Sequence, residues 1–181
     1  KSVGNGRGPA GDYANESGCQ KDLYSKGPPA SKNNIAVGAV DDNYNIYGLS
    51  SAGPTQDERL KPDIMAIGID VNSTHWNNES GVLGYINWHG TSGSAPMAAG
   101  VLGMLVEGFD TFFTTPPVEP LPSPLKAILI HYAQDINTAG PDYYSGYGVI
   151  QADRAIEIVR RAEVLVHEDR VDGTTKEVEY I

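Results

Sequence analysis

At 181 residues, 40% hydrophobic and 20% charged, the chain is long enough for one full core and has the composition of a globular domain. A net charge of −10 with only 13 scattered Lys and Arg excludes the clustered basic surface that nucleic-acid binding needs. No apolar stretch reaches the roughly 18 residues of a membrane-spanning helix, and the single Cys19 has no partner for an internal disulfide.

The first thirty residues are rich in Gly, Asn, Ser and Pro and read as loop. They do not open as a secretory signal, because Lys1 and Ser2 are not followed by an apolar run. "NIAVGAV" (34–40) is a short β-branched run closed by "DDNYN", which predicts a buried strand ending in a turn. A second short strand is expected over 63–67, after a Pro-restricted entry at Lys61. From 96 to 109, "PMAAGVLGMLVEGF" is apolar on nearly every face, so a buried helix is expected there. "TTPPVEPLPSP" is a proline-rich connection. It leads into an amphipathic helix capped by Ser123, with Pro124 in its first turn and Leu125, Ile128, Leu129 and Tyr132 on one stripe. "GPDYYSGYG" forms a loop. "IQADRAIEIVRRAE" then forms a third helix with Ile150, Ala155, Ile156 and Val159 inward. The tail alternates in "EVLVHE" and "KEVEYI" about Asp172-Gly173, the pattern of a β-hairpin. Strands mixed with helices define an α/β domain over 1–162, with the β tail over 163–181.

The stretch "HGTSGSAPMAAG" (89–100) sets hydroxyls and glycines at the mouth of the apolar helix. A helix start carries unpaired N–H groups and the positive end of the dipole, which suits a developing oxyanion. Ser92, just before that helix and flanked by Gly90 and Gly93, is therefore a candidate nucleophile. The plainer reading is that Thr91, Ser92 or Ser94 caps the helix.

Four ordered segments go further. The string Gly90 to Gly100 resembles the nucleophile motif of subtilisin-like serine proteases, and its wording around His89 and Ser94-Ala95-Pro96 is similar to the kexin and proprotein-convertase branch. "IAVGAVDDNYNIYGLSSAGPTQDERLKPDIMAIG" and "GPDYYSGYGVIQADRAIEIV" resemble further segments of that catalytic domain, in order. "SVGNGRG" resembles the segment that carries the asparagine of the oxyanion hole. Together these cover about residues 1–160, and the tail from about Ala162 onward resembles the linker and first strands that lead into a β-sandwich domain in many relatives, the alternative to a hairpin tail over 163–181. The resemblance implies a three-layer fold with a mostly parallel sheet, a nucleophile at Ser92 and an oxyanion donor at Asn5 beside the Ser92 backbone N–H. It also implies a peptide or protein substrate and secretion. On its own, an Asn between glycines reads equally well as a left-handed turn residue.

In subtilisin the triad runs Asp, His, Ser along the chain. Both partners would then precede Asn5, where four residues stand, so the chain is expected to be the C-terminal half of the domain. That half should lack activity alone and should need the N-terminal half or another chain. His75, in an Asn-rich stretch, and His89, His131 and His167 read as surface or packing residues. Departures from the family pattern at Leu49, Ala52 and Ala66-Ile67-Gly68 fall on its substrate-facing side. A non-catalytic peptide-binding descendant is the alternative function.

Three other patterns are weaker. Residues 6–11 fit G-x-G-x-x-G, but no strand precedes them and no apolar helix follows. Asp41, Asn43 and Asn45 mimic the start of a calcium loop, yet Ile46 stands where glycine is required and Ala52 where the bidentate Glu belongs. A polar turn accounts for them better. Structural calcium is therefore implied only by the resemblance, with no site assigned, and no cofactor is expected for the chemistry. Asn15, Asn72 and Asn78 head formal glycosylation triplets.

Overall fold

The computed structural model describes residues 1–7, 28–112 and 120–161. Cys19, Asn15, His167 and the expected tail hairpin lie outside them.

A pair of parallel strands forms the centre, β1 (Val37–Val40) and β2 (Ile64–Ile67), with Val37 opposite Ile64 and Val40 opposite Ile67. Both predicted strands are present, each about three residues or one residue shorter at its N-terminal side than the sequence pattern. The ladder continues on each side through single parallel bridges, Ser2 to Val37 and Met65 to Val149. Because both faces of β1 are covered, it reads as a continuous apolar run. On one face Val37, Ile64 and Ala66 join Leu105, Phe109, Leu129 and Val159 in the main core. On the other, Val40, Met65 and Val149 pack with Tyr44, Ile46 and Ile136. Among the described residues, helices cover only the first face, and turns cover the second.

Three helices follow a hairpin that the sequence reading missed. Strands β3 (Val71–Asn77) and β4 (Val82–Trp88) pair antiparallel, Val71 opposite Trp88 and Asn77 opposite Val82. Its turn is closed by Asn77, whose Oδ1 accepts from the N–H groups of Glu79 and Ser80, and by Gly81 at φ 64°. His75 therefore lies on a strand, opposite Gly84, and not in a loop. The pattern is hard to see because both faces of the hairpin are open and no polar–apolar alternation is imposed.

Helix α1 runs from Thr91 to Phe112, five residues earlier than expected, so Ser92 is inside its first turn and not ahead of it. Pro96 sits in the second turn. This helix is not buried on all sides. Ala98, Leu105, Gly108 and Phe109 face the core, while Met97, Met104, Val106 and Phe112 are exposed. Helix α2 (Pro122–His131) starts at Leu121 with Pro122 and Pro124 in its first turn, so Ser123 is inside the helix and does not cap it. Leu125, Ile128 and Leu129 are buried as the stripe predicts. Helix α3 (Ala152–Arg160) buries Ala155 and Val159, with Ile150 and Ile156 half-buried against the same core. No helix among the described residues is long and apolar enough to cross a membrane.

At the end of α3, Glu157 accepts from Arg160 through Nε and Nη2, each at 2.6 Å, and from Arg161 Nε at 2.7 Å. These bonds hold its carboxyl down at about 2, from an ordinary 4.5. Since the folded value is depressed, the stabilisation is present above pH 4.5 and is lost as the pH falls through about 2. Urea midpoints measured from pH 6 to 2.5 should therefore fall less steeply for Glu157→Gln than for the parent below pH 4.5. The difference should be small, because the group is fully exposed.

Candidate active site

The parallel strands set where the site is. In an open α/β sheet, functional groups gather beyond the carboxyl ends of the strands. Ser2 pairs with β1 in parallel, so the chain carries Asn5 past that end. Strand β2 ends at Ile67, and its continuation, Gly68, meets the helix start. The Gly68 N–H donates to Val40 C=O at 2.9 Å, and its C=O accepts from the Gly90 N–H at 2.6 Å. A Cβ on Gly68 would stand 2.7 Å from Gly90 O and 3.1 Å from Ser94 Cβ, so only glycine lets the helix sit this close to the sheet.

Those two elements bring Asn5 and the start of α1 together from 86 residues apart. Asn5 Oδ1 accepts from the Thr91 backbone N–H and from Thr91 Oγ1, both at 3.0 Å. With its oxygen occupied by two donors from one residue, the carboxamide is fixed in rotation and its Nδ2 end is turned away from Thr91. Gly90, at φ 118°, lies directly under the amide, where a Cβ would be 2.9 Å from Nδ2. Thr91 and Ser94 are fully buried, and Ser94 Oγ donates to Thr91 C=O at 3.0 Å. Of the helix-start hydroxyls, Ser92 alone is exposed. Neither its hydroxyl nor its N–H has a hydrogen-bond partner among the described residues. The capping role open to Thr91, Ser92 or Ser94 is filled by none of their hydroxyls: those of Thr91 and Ser94 act as donors, and Asn5 Oδ1 supplies the acceptor for the first N–H.

Thr91 was legible only as a possible cap. Its part in fixing Asn5 depends on a contact across the fold, for which a sequence has no local signal. The histidines are dispersed. His131 ends α2 exposed and edge-on to Tyr132. His89 has an acidic neighbour, with Nε2 3.7 Å from Asp70 Oδ1 and Nδ1 accepting weakly from the Asp70 N–H at 3.4 Å, but both residues are exposed at the hairpin base. Trp88 packs over the helix start, its Cδ1 being 3.0 Å from where a Gly93 Cβ would be. Asp41 forms the polar turn expected after β1, its Oδ1 accepting from the N–H groups of Asn43 and Asn45 and its Oδ2 from Asn45 Nδ2. Among the described residues no group of three or more His, Cys, Asp or Glu is placed to hold a metal.

Residues 1–148 match the family model described as the subtilase family. The chain is 33% identical over 112 residues to the C5a peptidase of Streptococcus pyogenes, covering 59% of this chain and 9% of that protein. To the serine protease AprX of Bacillus subtilis it is 28% identical over 145 residues, covering 71% of this chain and 31% of the relative. Among solved structures, the CspB protease of Clostridium perfringens superposes with a TM-score of 0.63 at 28% identity, over 75% of this chain and 29% of that one. Fervidolysin from Fervidobacterium pennivorans shares the fold, with a TM-score of 0.58 at 23% identity over 86% of this chain. The chain thus spans less than a third of the length of each of these two curated relatives. With its mixed α/β architecture and the match across 1–148, the chain belongs to the subtilase family of serine proteases.

Proposed function

We propose that this chain supplies the nucleophile and oxyanion hole of a serine endopeptidase. Ser92 Oγ attacks the scissile carbonyl, and its proton passes to a general base. The tetrahedral oxyanion is held by the Ser92 N–H and Asn5 Nδ2; its collapse breaks the C–N bond, the leaving amine takes the proton from the base, and the acyl-enzyme left on Ser92 is hydrolysed by water to free the carboxylate and the Ser92 hydroxyl. The reading rests above all on one observation: the carboxamide of Asn5 is held by its oxygen against the residue next to an exposed serine. The proposed chemistry requires no cofactor. The base and its orienting acid are proposed to come from the N-terminal half of the domain, joined to this chain or supplied separately, and the substrate is a peptide or protein. A location outside the cytoplasm is part of the proposal, and Asn72 and Asn78, both exposed on the hairpin, are compatible with it.

Without a base the Ser92 hydroxyl is an ordinary alcohol, so the 181 residues alone should show no measurable peptidase turnover. Active-site labelling with a fluorophosphonate tests the whole reading. In the protein assembled with its base and acid, the adduct should form on Ser92 and vanish in Ser92→Ala. A folded, assembled protein that stays unlabelled would instead be the non-catalytic peptide-binding descendant.

A further inference from the structure

Asn5 is gripped from its backbone as well as from its amide. Residues 3–7 run beside residues 47–51, and one of these, Ser51, contacts the peptide groups on both sides of Asn5. The Ser51 N–H donates to Gly4 C=O at 2.8 Å, and Ser51 Oγ accepts from the Gly6 N–H at 2.9 Å. Ser51 is only 3% exposed, and Gly6 is buried with it. Farther out the Arg7 N–H donates to Leu49 C=O at 3.2 Å, and its guanidinium reaches the carbonyls of Gly48 and Tyr47 at 3.0 and 3.2 Å.

Thr91 fixes the rotation of the Asn5 carboxamide but does not fix where its Cα stands. That depends on the flanking peptide groups, and both are tied to Ser51. Oxyanion donors act by being in place before charge develops, so a small displacement of the donor is costly. Its neighbour Ser50 supplies an internal comparison. It is as buried, at 1% exposure, and its Oγ also accepts a backbone N–H, that of Ala39 at 3.1 Å, but this bond lies on β1 and not on the Asn5 loop.

We infer that Ser51 is a positioning residue for the Asn5 amide, an inference that rests on the reading of Asn5 as oxyanion donor. Ser51 touches no reacting atom. It holds the loop in which Asn5 stands, and loss of its hydroxyl leaves the Gly6 N–H buried without an acceptor and lets the donor drift.

The test compares five variants of the assembled protease on a peptide substrate: Ser51→Ala, Ser50→Ala, Asn5→Ala, the Asn5→Ala/Ser51→Ala double and Ser51→Cys. Ser51→Ala should lower kcat by about 10- to 100-fold with KM changed less than about twofold. Ser50→Ala should lower the melting temperature comparably yet leave kcat within about twofold. In the Asn5→Ala background, Ser51→Ala should lower kcat no further, because no donor is left to position. Ser51→Cys keeps the volume with a weaker acceptor, so its kcat should fall between those of the parent and Ser51→Ala, and it serves if the alanine variant does not fold. If Asn5→Ala keeps full activity, the oxyanion reading fails and this inference with it. If Asn5→Ala loses activity while Ser51→Ala and Ser51→Cys stay at parental kcat, or the losses multiply in the double variant, the positioning role alone is overturned.

Discussion

Replacing Asn5 by Ala should lower kcat of the assembled protease by about 100- to 1000-fold with little change in KM, a magnitude established for the corresponding asparagine of subtilisin and not obtained from this chain. The expectation follows from when the amide acts. A ground-state carbonyl gains little from a donor aimed at a tetrahedral oxygen, so the loss falls on kcat and kcat/KM together. Because Oδ1 is already bonded to Thr91, Asn5→Asp should not restore activity. A carboxylate would keep the Thr91 bonds but present an acceptor, carrying negative charge, where the developing oxyanion needs a donor. Full kinetic curves for Asn5→Ala, Asn5→Asp and the parent check this. A tenfold rise in KM at unchanged kcat would assign Asn5 to ground-state binding instead.

Asp63→Ala should destabilise the fold by about 3–5 kcal/mol, the cost of leaving a buried charge without its partner. Asp63, 7% exposed by its side chain, stands at the entry to β2 and accepts three donors. Lys61 Nζ lies at 2.6 Å from Oδ2, Lys126 Nζ at 2.6 Å from Oδ1, and the buried Ala36 N–H at 2.6 Å from Oδ2. Lys61 is itself only 2% exposed, and burial pushes its ammonium below the usual lysine range against the opposing pull of Asp63. Removing the carboxylate leaves that lysine without its counter-ion, with the neutral Asn34 oxygens as its remaining acceptors, and orphans the Ala36 N–H next to β1. Lys61→Met should cost less than half as much, since it removes a buried charge while Asp63 keeps Lys126 and Ala36. Lys61 Nζ also donates to Asn34 Oδ1 at 2.9 Å and Lys126 Nζ to Asn34 C=O at 3.0 Å. Urea unfolding of the three proteins decides it, and a loss below about 1 kcal/mol for Asp63→Ala would show that the network is not what ties α2 and the loop at Asn34 to the sheet.

Much of the architecture could be read along the chain wherever local pattern and burial agree. The apolar run ending at Val40 is β1, because a strand covered on both faces needs no alternation. The α3 stripe of Ile150, Ala155, Ile156 and Val159 meets the core as its period requires. Where local and tertiary terms diverge, the reading failed. Ser123 has the chemistry of a cap but lies within a helix that Pro122 already starts. The β3–β4 hairpin hides because neither face is buried, so no side of it is marked by composition. Helix α1 is apolar all round and was expected to be enclosed, yet Met97, Met104 and Val106 stand open because the described sheet covers one side only.

The sequence by itself determined the family, the candidate nucleophile at Ser92 and the candidate donor at Asn5, since motifs are strings of neighbouring residues and survive without coordinates. Only the tertiary structure decided which hydroxyl at the helix start is exposed, which one holds Asn5, and that Ser51 grips the loop on which Asn5 stands. Those relations join residues 45 and 86 positions apart. Hydrogen bonds of that span are set by how the strands stack and where they end, and no local stretch of chain encodes them.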